Sequence, residues 1–169
     1  YLLLIVGVIS CDQKPQLSET EQKVETLLAK MTLKEKIGQM NQYNGFWNVT
    51  GPVPDGGDAQ VKYNHLAEGY VGSMLNVRGV KEVREVQKVA VEKSRLGIPL
   101  IIGFDLIHGY KTISPIPLAE SASWDLEAIK NSAAIGAKEA AAAGINWTFA
   151  PMVDITRDAR WGRVMEGAG

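Results

Sequence analysis

Between residues 70 and 150 short apolar runs alternate with segments of helical period, and few folds accept that rhythm. The first run is Tyr70 to Leu75. A helical pattern over Val80 to Leu96 then sets Val83, Val86 and Ala90 on one side, and Gly97 ends it. Pro99 opens Leu100-Ile101-Ile102-Gly103-Phe104, a strand apolar without alternation, as expected where both faces are buried. An irregular stretch runs to Ser123. A helix over about residues 125–143 groups Leu126, Ile129 and Ala133, Gly144 takes the position after its cap, and a third strand follows over about 145–150. Strands separated by helices imply right-handed βαβ units, hence an α/β fold with a parallel sheet.

An open doubly wound sheet and a (β/α)8 barrel share this rhythm, and both place chemistry at the carboxyl ends of strands. No GxGxxG follows the first strand, which weakens the doubly wound choice. Upstream, Ser18 and Glu21 have the form of a capping box before Val24, Leu27, Leu28 and Met31. Thr32 and Glu35 repeat that form before a second short helix carrying Leu33, Ile37 and Met40. Residues 41–65, rich in Asn, Gly and Pro, read as one long loop.

The charge balance narrows the partners. With 18 Lys and Arg against 19 Asp and Glu the net charge is -1, and no basic stripe offers a footprint for nucleic acid. One Cys and two His exclude a disulfide framework and every multi-Cys zinc site. No GxxxxGK[ST] loop supports nucleotide chemistry. At 169 residues the chain has room for one domain, from a prior of roughly 100 to 200 residues each.

The uncharged run Tyr1 to Ser10 is too short for a bilayer, which needs about 20 residues, and has the length of a signal-peptide core. It lacks an initiating Met and a basic start, so the expected true start lies upstream. Val8-Ile9-Ser10-Cys11 looks like a lipoprotein box, with Cys11 as the lipidated residue and 1–17 as signal and tether ahead of a domain over 18–169. An ordinary secretory signal with an incidental Cys and a buried hydrophobic strand are the other readings. A lipid would be the one route to a membrane, anchoring without spanning it.

Two groups of residues are placed for chemistry. Asp105 stands just past the apolar strand, where a carboxylate can accept hydroxyls of a ligand or can tie down its own loop. His108 reads more simply as a packing residue. The segment from Arg157 to Glu166 gathers Arg157, Asp158, Arg160, Trp161, Arg163 and Glu166, either a polyhydroxyl-binding surface or an internal ion-pair network with Glu166 holding Arg163. Trp161 is a stacking platform or loop core, and Trp47 in the long loop is equally open.

The strings MTLKEKIGQM (31–40), GFDLIHGYKTISPIPLAESASWD (103–125) and AAGINWTFAPMVDITRDARWGRVMEGAG (142–169) resemble the amino-terminal domain of glycoside hydrolase family 3, and bacterial periplasmic β-glucosidases in particular. Lys111 and Ser114 depart from the commoner pattern, without touching the sugar-holding positions. The resemblance implies the first part of a (β/α)8 TIM-like barrel, incomplete in this chain, since a full barrel takes about 250 residues. It implies a retaining exo-acting β-glycosidase, acting on a β-linked oligosaccharide or an aryl or alkyl β-glucoside, exported to the periplasm or anchored at the outer membrane. Asp105 and Arg163 then match residues that hold the sugar of the −1 subsite, with Glu166, His108 and Trp161 in support. The nucleophile and acid/base are expected beyond Gly169, so none of Asp154, Asp158 and Glu166 fills those roles, and the segment alone is expected to be inactive and poorly stable. No metal or cofactor is implied, because two carboxylates and water suffice. A noncatalytic lipid-anchored carbohydrate-binding protein and a gene remnant are the alternatives.

Overall fold

A computed structural model describes residues 17–45 and 52–168. Cys11 and residues 1–16 of the signal and tether expected over 1–17, and Trp47, lie outside the described residues. Two compact units divide the chain at Thr32.

The first unit contains helix α1 (Glu19–Lys30). Its start is the expected capping box: the Ser18 amide donates to Glu21 Oε2 at 2.7 Å, and the Glu21 amide donates to Ser18 Oγ at 3.3 Å. Glu19 and Glu21 lie in the first turn and Lys30 in the last, which suits the helix dipole.

The second unit holds a four-stranded parallel sheet: β1 (Gln42–Asn44), β2 (Ser73–Leu75), β3 (Ile101–Phe104) and β4 (Trp147–Thr148). The helices are α2 (Leu33–Gln39), α3 (Gly57–Ala67), α4 (Val80–Lys93), α5 (Pro117–Ser121) and α6 (Leu126–Ala142). The strand order is β1-β2-β3-β4. A doubly wound sheet reverses direction at a switch point, whereas a barrel adds each strand beside the last. The sequential order is that of the barrel.

Three expectations need correction. The long loop over 41–65 contains β1 and most of α3. β1 is short and polar, and α3 buries Leu66 but no periodic stripe, so neither shows in the hydrophobic pattern. The irregular stretch before Ser123 contains α5, started by Pro117 in the first turn. The faces of two helices also differ. In α2, Leu33 and Ile37 are exposed, as is Met40 just past its end, while Glu35 and Gly38 are buried. In α6, Leu126 and Ala133 face solvent and the buried positions are Gly136 and Ala140.

Physical reasons for the α2 reversal are visible. Glu35 is tolerated inside because Arg95 meets it with both ends of its fork, Nε to Oε1 at 3.0 Å and Nη2 to Oε2 at 2.6 Å. Gly38 has no Cβ, and one there would overlap the Tyr70 backbone. Gly72 faces Gln39 in the same way. α2 therefore reaches β2 by backbone contact, and the Asn41 carbonyl accepts from Gly72 and Ser73 at 3.1 and 3.3 Å.

The core lies between sheet and helices. Met74 and Ile102 are opposite one another in register, both fully buried, with Val83, Val86 and Ala90 of α4 against them as expected. Gln87 of α4 completes the start of β3: its Nε2 donates to the Leu100 carbonyl and its Oε1 accepts from the Leu100 amide, each at 2.8 Å. Side chains alternate along a strand, so Ser73 and Leu75, Ile101 and Gly103, and Trp147 share the opposite face.

A Cβ at Gly72 would strike the carbonyl of Gln39, so Gly72→Ala must push α2 from the sheet. The expected loss is about 1–3 kcal/mol of unfolding free energy, the usual cost of overpacking. Denaturant unfolding of the variant checks it.

Candidate active site

β3 ends at Phe104, and the next residue on its helix-free face is Asp105. Its side chain is exposed, and its carboxylate accepts no hydrogen bond among the described residues. Tying down the loop, the structural alternative for this residue, is thus not what the carboxylate does. The loop itself leaves the strand through the Leu106 amide, which donates to Thr148 Oγ1 of β4 at 3.4 Å.

Two rings form the surface below. Trp147 and Phe149 stand 4.7 Å apart at a tilt of 51°, and Gly103 gives them room, since a Cβ there would lie 3.3 Å from Phe149. Beyond them the chain passes the cis Ala150–Pro151 peptide and returns, with Met152 bridged to Gly167. That return brings the 154–166 segment back over the end of β4.

Within this segment the charges separate into two pairs. Asp158 and Arg160 form a self-contained fork, with Nε at 3.0 Å from Oδ1 and Nη2 at 2.6 Å from Oδ2, and Arg160 is 91% exposed. The guanidinium beside Asp158 holds its carboxyl below the usual range. This pair is the internal network that the sequence left open. Arg163 instead pairs with Glu166 at the short 3₁₀ turn Val164–Glu166, Nε to Oε1 at 2.8 Å and Nη2 to Oε2 at 2.6 Å. The hydrogen bonds to Glu166 raise the Arg163 pKa first, Glu166's charge adds to it, and Asp154 and Asp105 add the remainder. Arg163 likewise holds Glu166 below the ordinary carboxylate range.

The structure thus brings Asp105, Asp154, Arg163 and Glu166 into one electrostatic neighbourhood at the carboxyl end of β3 and β4. Arg163 keeps more than half of its side chain exposed while Glu166 is the more buried partner. Its fork is oriented from behind, with donors left for a ligand. Trp161 is partly exposed and stacks on no described aromatic ring; its amide donates to the Asp158 carbonyl at 3.0 Å.

His108 lies elsewhere. It lines a largely apolar cavity of about 440 Å³ between α5, α6 and the loops after β3 and β4, which Glu166 also touches but Asp105 and Arg163 do not. His108 Nδ1 is buried there without a hydrogen-bond partner among the described residues. No cluster of three or more His, Cys, Asp or Glu among those residues is arranged for a metal ion, and no helix among them is long and apolar enough to cross a membrane.

One residue escaped the sequence reading. Glu139 sits in the last turn of α6, where a carboxylate opposes the helix dipole, and that misfit was the available signal.

Comparison with known proteins agrees with this geometry. Residues 32–168 match the Glycosyl hydrolase family 3 N terminal domain. The periplasmic beta-glucosidase of Salmonella typhimurium is 38% identical over 146 residues, covering 86% of this chain and 18% of that protein. The β-glucosidase of Listeria innocua, solved in complex with isofagomine, superposes with a TM-score of 0.73 at 42% identity, covering 88% of this chain and 20% of that one. An exo-1,3/1,4-beta-glucanase from a Pseudoalteromonas species gives a TM-score of 0.71 at 31% identity, over 92% of this chain and 21% of its own. The chain spans about a fifth of the length of these relatives. With the sequential parallel sheet and these matches together, the chain belongs to glycoside hydrolase family 3, as part of its barrel-type amino-terminal domain.

Proposed function

We propose that the protein carrying this chain is a retaining exo-acting β-glucosidase, and that Asp105 and Arg163 hold the terminal sugar in its −1 subsite. The observation that carries the reading is Asp105: an exposed carboxylate with no hydrogen bond among the described residues, at the carboxyl end of a barrel strand and within the field of Arg163. Such a group accepts two neighbouring sugar hydroxyls by charge-assisted hydrogen bonds of about 2.5–2.7 Å. Arg163 supplies donors to the same ring, and Glu166 fixes its fork. Trp161 supports the site from the same segment, whereas His108 contributes through the packing of the loop after β3.

Glucose as the sugar is supported by relatives. The Listeria innocua enzyme has been solved with glucose, and a mutant of it with laminaribiose. Proteins from Formosa agariphila named as β-xylosidases are more distant, at 27–29% identity. A retaining mechanism needs a nucleophile and an acid/base about 5 Å apart. In this reading residues outside 1–169 provide both, and the chain's own residues bind and orient the ring so that the anomeric carbon meets them. The protein acts on β-glucosides in the periplasm or from an outer-membrane lipid anchor on Cys11, a reading supported by Val8-Ile9-Ser10-Cys11 and the periplasmic name of the Salmonella relative.

In the full-length polypeptide, Asp105→Ala should lower kcat/KM for an aryl β-glucoside roughly 100- to 1,000-fold, the scale of one lost charged contact in a transition state, with circular dichroism unchanged. Glu166→Gln should cost about tenfold, because Arg163 keeps its charge but loses one of its two orienting bonds and the charge of its partner. Near-wild-type kinetics in Asp105→Ala would remove it from the subsite, and glucose binding without turnover in the wild type would favour a binding protein instead.

Labelled palmitate should enter the exported protein and not its Cys11→Ser variant; equal labelling would exclude the anchor. The isolated segment should neither unfold cooperatively nor hydrolyse an aryl glucoside. That expectation is supported by Ile101 at 50% and Trp147 and Phe149 at 42% exposure on the helix-free face, and a hydrolytically active segment would reverse it.

A further inference from the structure

The loop that leaves Asp105 is fastened to α6 by one carboxylate. Glu139 Oε2 accepts the backbone amides of Lys111 and Thr112, each at 2.8 Å, and its Oε1 accepts the Thr112 hydroxyl at 2.7 Å. These bonds, the Thr112 amide foremost, hold Glu139 below the ordinary carboxylate range. Beside them the two backbones touch: a Cβ on Gly136 would lie 3.4 Å from Gly109 Cα. Gly109 has φ +106, and the Thr112 carbonyl occupies the place a side chain would need. The Ser114 amide closes the turn onto the His108 carbonyl at 2.9 Å, and Tyr110 meets Phe104 edge-on at 5.4 Å.

Residues 108–114 are therefore a closed turn whose polar attachment to the helix is Glu139. Asp105 lies three residues before it. Its own carboxylate has no hydrogen bond among the described residues to orient it, and the backbone bonds of the next residue, from the Leu106 amide to Thr148 Oγ1 and from the Gly109 amide to the Leu106 carbonyl, are long, at 3.4 and 3.5 Å. The direction of Asp105 is thus set by β3 on one side and by the clamped turn on the other.

We propose that Glu139 is a positioning residue for the sugar-binding carboxylate: by clamping Lys111 and Thr112 to α6 it fixes the path on which Asp105 leaves β3. The proposal rests on the assignment of Asp105 to the −1 subsite. Hydrogen-bond chemistry gives it a discriminating variant. A glutamine at 139 can turn its oxygen to the two amides and its NH2 to the Thr112 hydroxyl, which accepts as well as donates, so all three contacts survive without the charge. Alanine removes them all.

The experiment compares wild type, Glu139→Ala, Glu139→Gln and Asp105→Ala in the full-length polypeptide, well below the unfolding midpoint of each, reading kcat and KM for an aryl β-glucoside and Ki for gluconolactone. Glu139→Ala should raise KM and Ki and lower kcat/KM roughly 10- to 100-fold, the penalty of a displaced binding group, while Glu139→Gln stays within about threefold of wild type. A Glu139→Ala protein with unchanged Ki and kcat/KM, beside a crippled Asp105→Ala, overturns the clamp and leaves the subsite assignment standing. Glu139→Gln as impaired as Glu139→Ala overturns the hydrogen-bond mechanism. Asp105→Ala with normal kinetics overturns the subsite assignment itself. Should Glu139→Ala fail to fold, Thr112→Val removes one of the three contacts and should raise Ki about threefold; an unchanged Ki there also sinks the proposal.

Discussion

Met74 and Ile102 stand opposite one another in adjacent parallel strands, neither with any solvent exposure, and the second unit is arranged around that pair. Burial of two side chains of this size stabilises by roughly 1.5–3 kcal/mol each. It also decides the register. A slip of β3 by one residue would turn Ile102 toward the other face and send Gly103 into the helix layer. With the register held, the helix-free face is fixed as well, and Asp105 emerges on it one step past Phe104.

The charges at that end are arranged by exposure. Asp158 and Arg160 satisfy each other in solvent, where an ion pair contributes little to stability, and their fork shapes the loop. Arg163 and Glu166 use the same geometry to a different end: the more buried carboxylate holds the more exposed guanidinium. Asp105 is the member left without a donor among the described residues. In the proposed subsite, a sugar hydroxyl meeting this carboxylate would displace water and break no hydrogen bond among the described residues, which keeps the polar cost of binding low.

Much of the sheet was legible because its strands carry continuous apolar runs. Leu100 to Phe104 announces a buried strand, and Val83, Val86 and Ala90 announce the face that covers it. Several of the failures share one cause: little or no burial of large apolar side chains. β1 is Gln-Tyr-Asn, α2 is buried through Gly38 and a paired Glu35, and α6 through Gly136 and Ala140. Hydrophobic periodicity is blind to a backbone contact made possible by a missing Cβ. At the site, position past a strand marked Asp105 as a candidate and dense charge marked the whole segment 157–166, while only the family resemblance singled out Asp105 and Arg163 as the sugar-holding positions. The division of that segment into two separate pairs is a matter of side-chain direction, which spacing does not encode. Glu139 was hidden because its partners are backbone amides 27 and 28 residues away.

The Gln87 side chain gives the first residue of the β3 region a partner that belongs to no strand. Both backbone groups of Leu100 end on a helix side chain, at 2.8 Å each, while the amide of Ile101 already donates to the Gly72 carbonyl of the sheet. Neighbouring amides therefore answer to different openings. Deuterium enters Leu100 when α4 lifts away, and enters Ile101 when β2 and β3 part, so the pair distinguishes undocking of a helix from loss of the sheet between two adjacent residues.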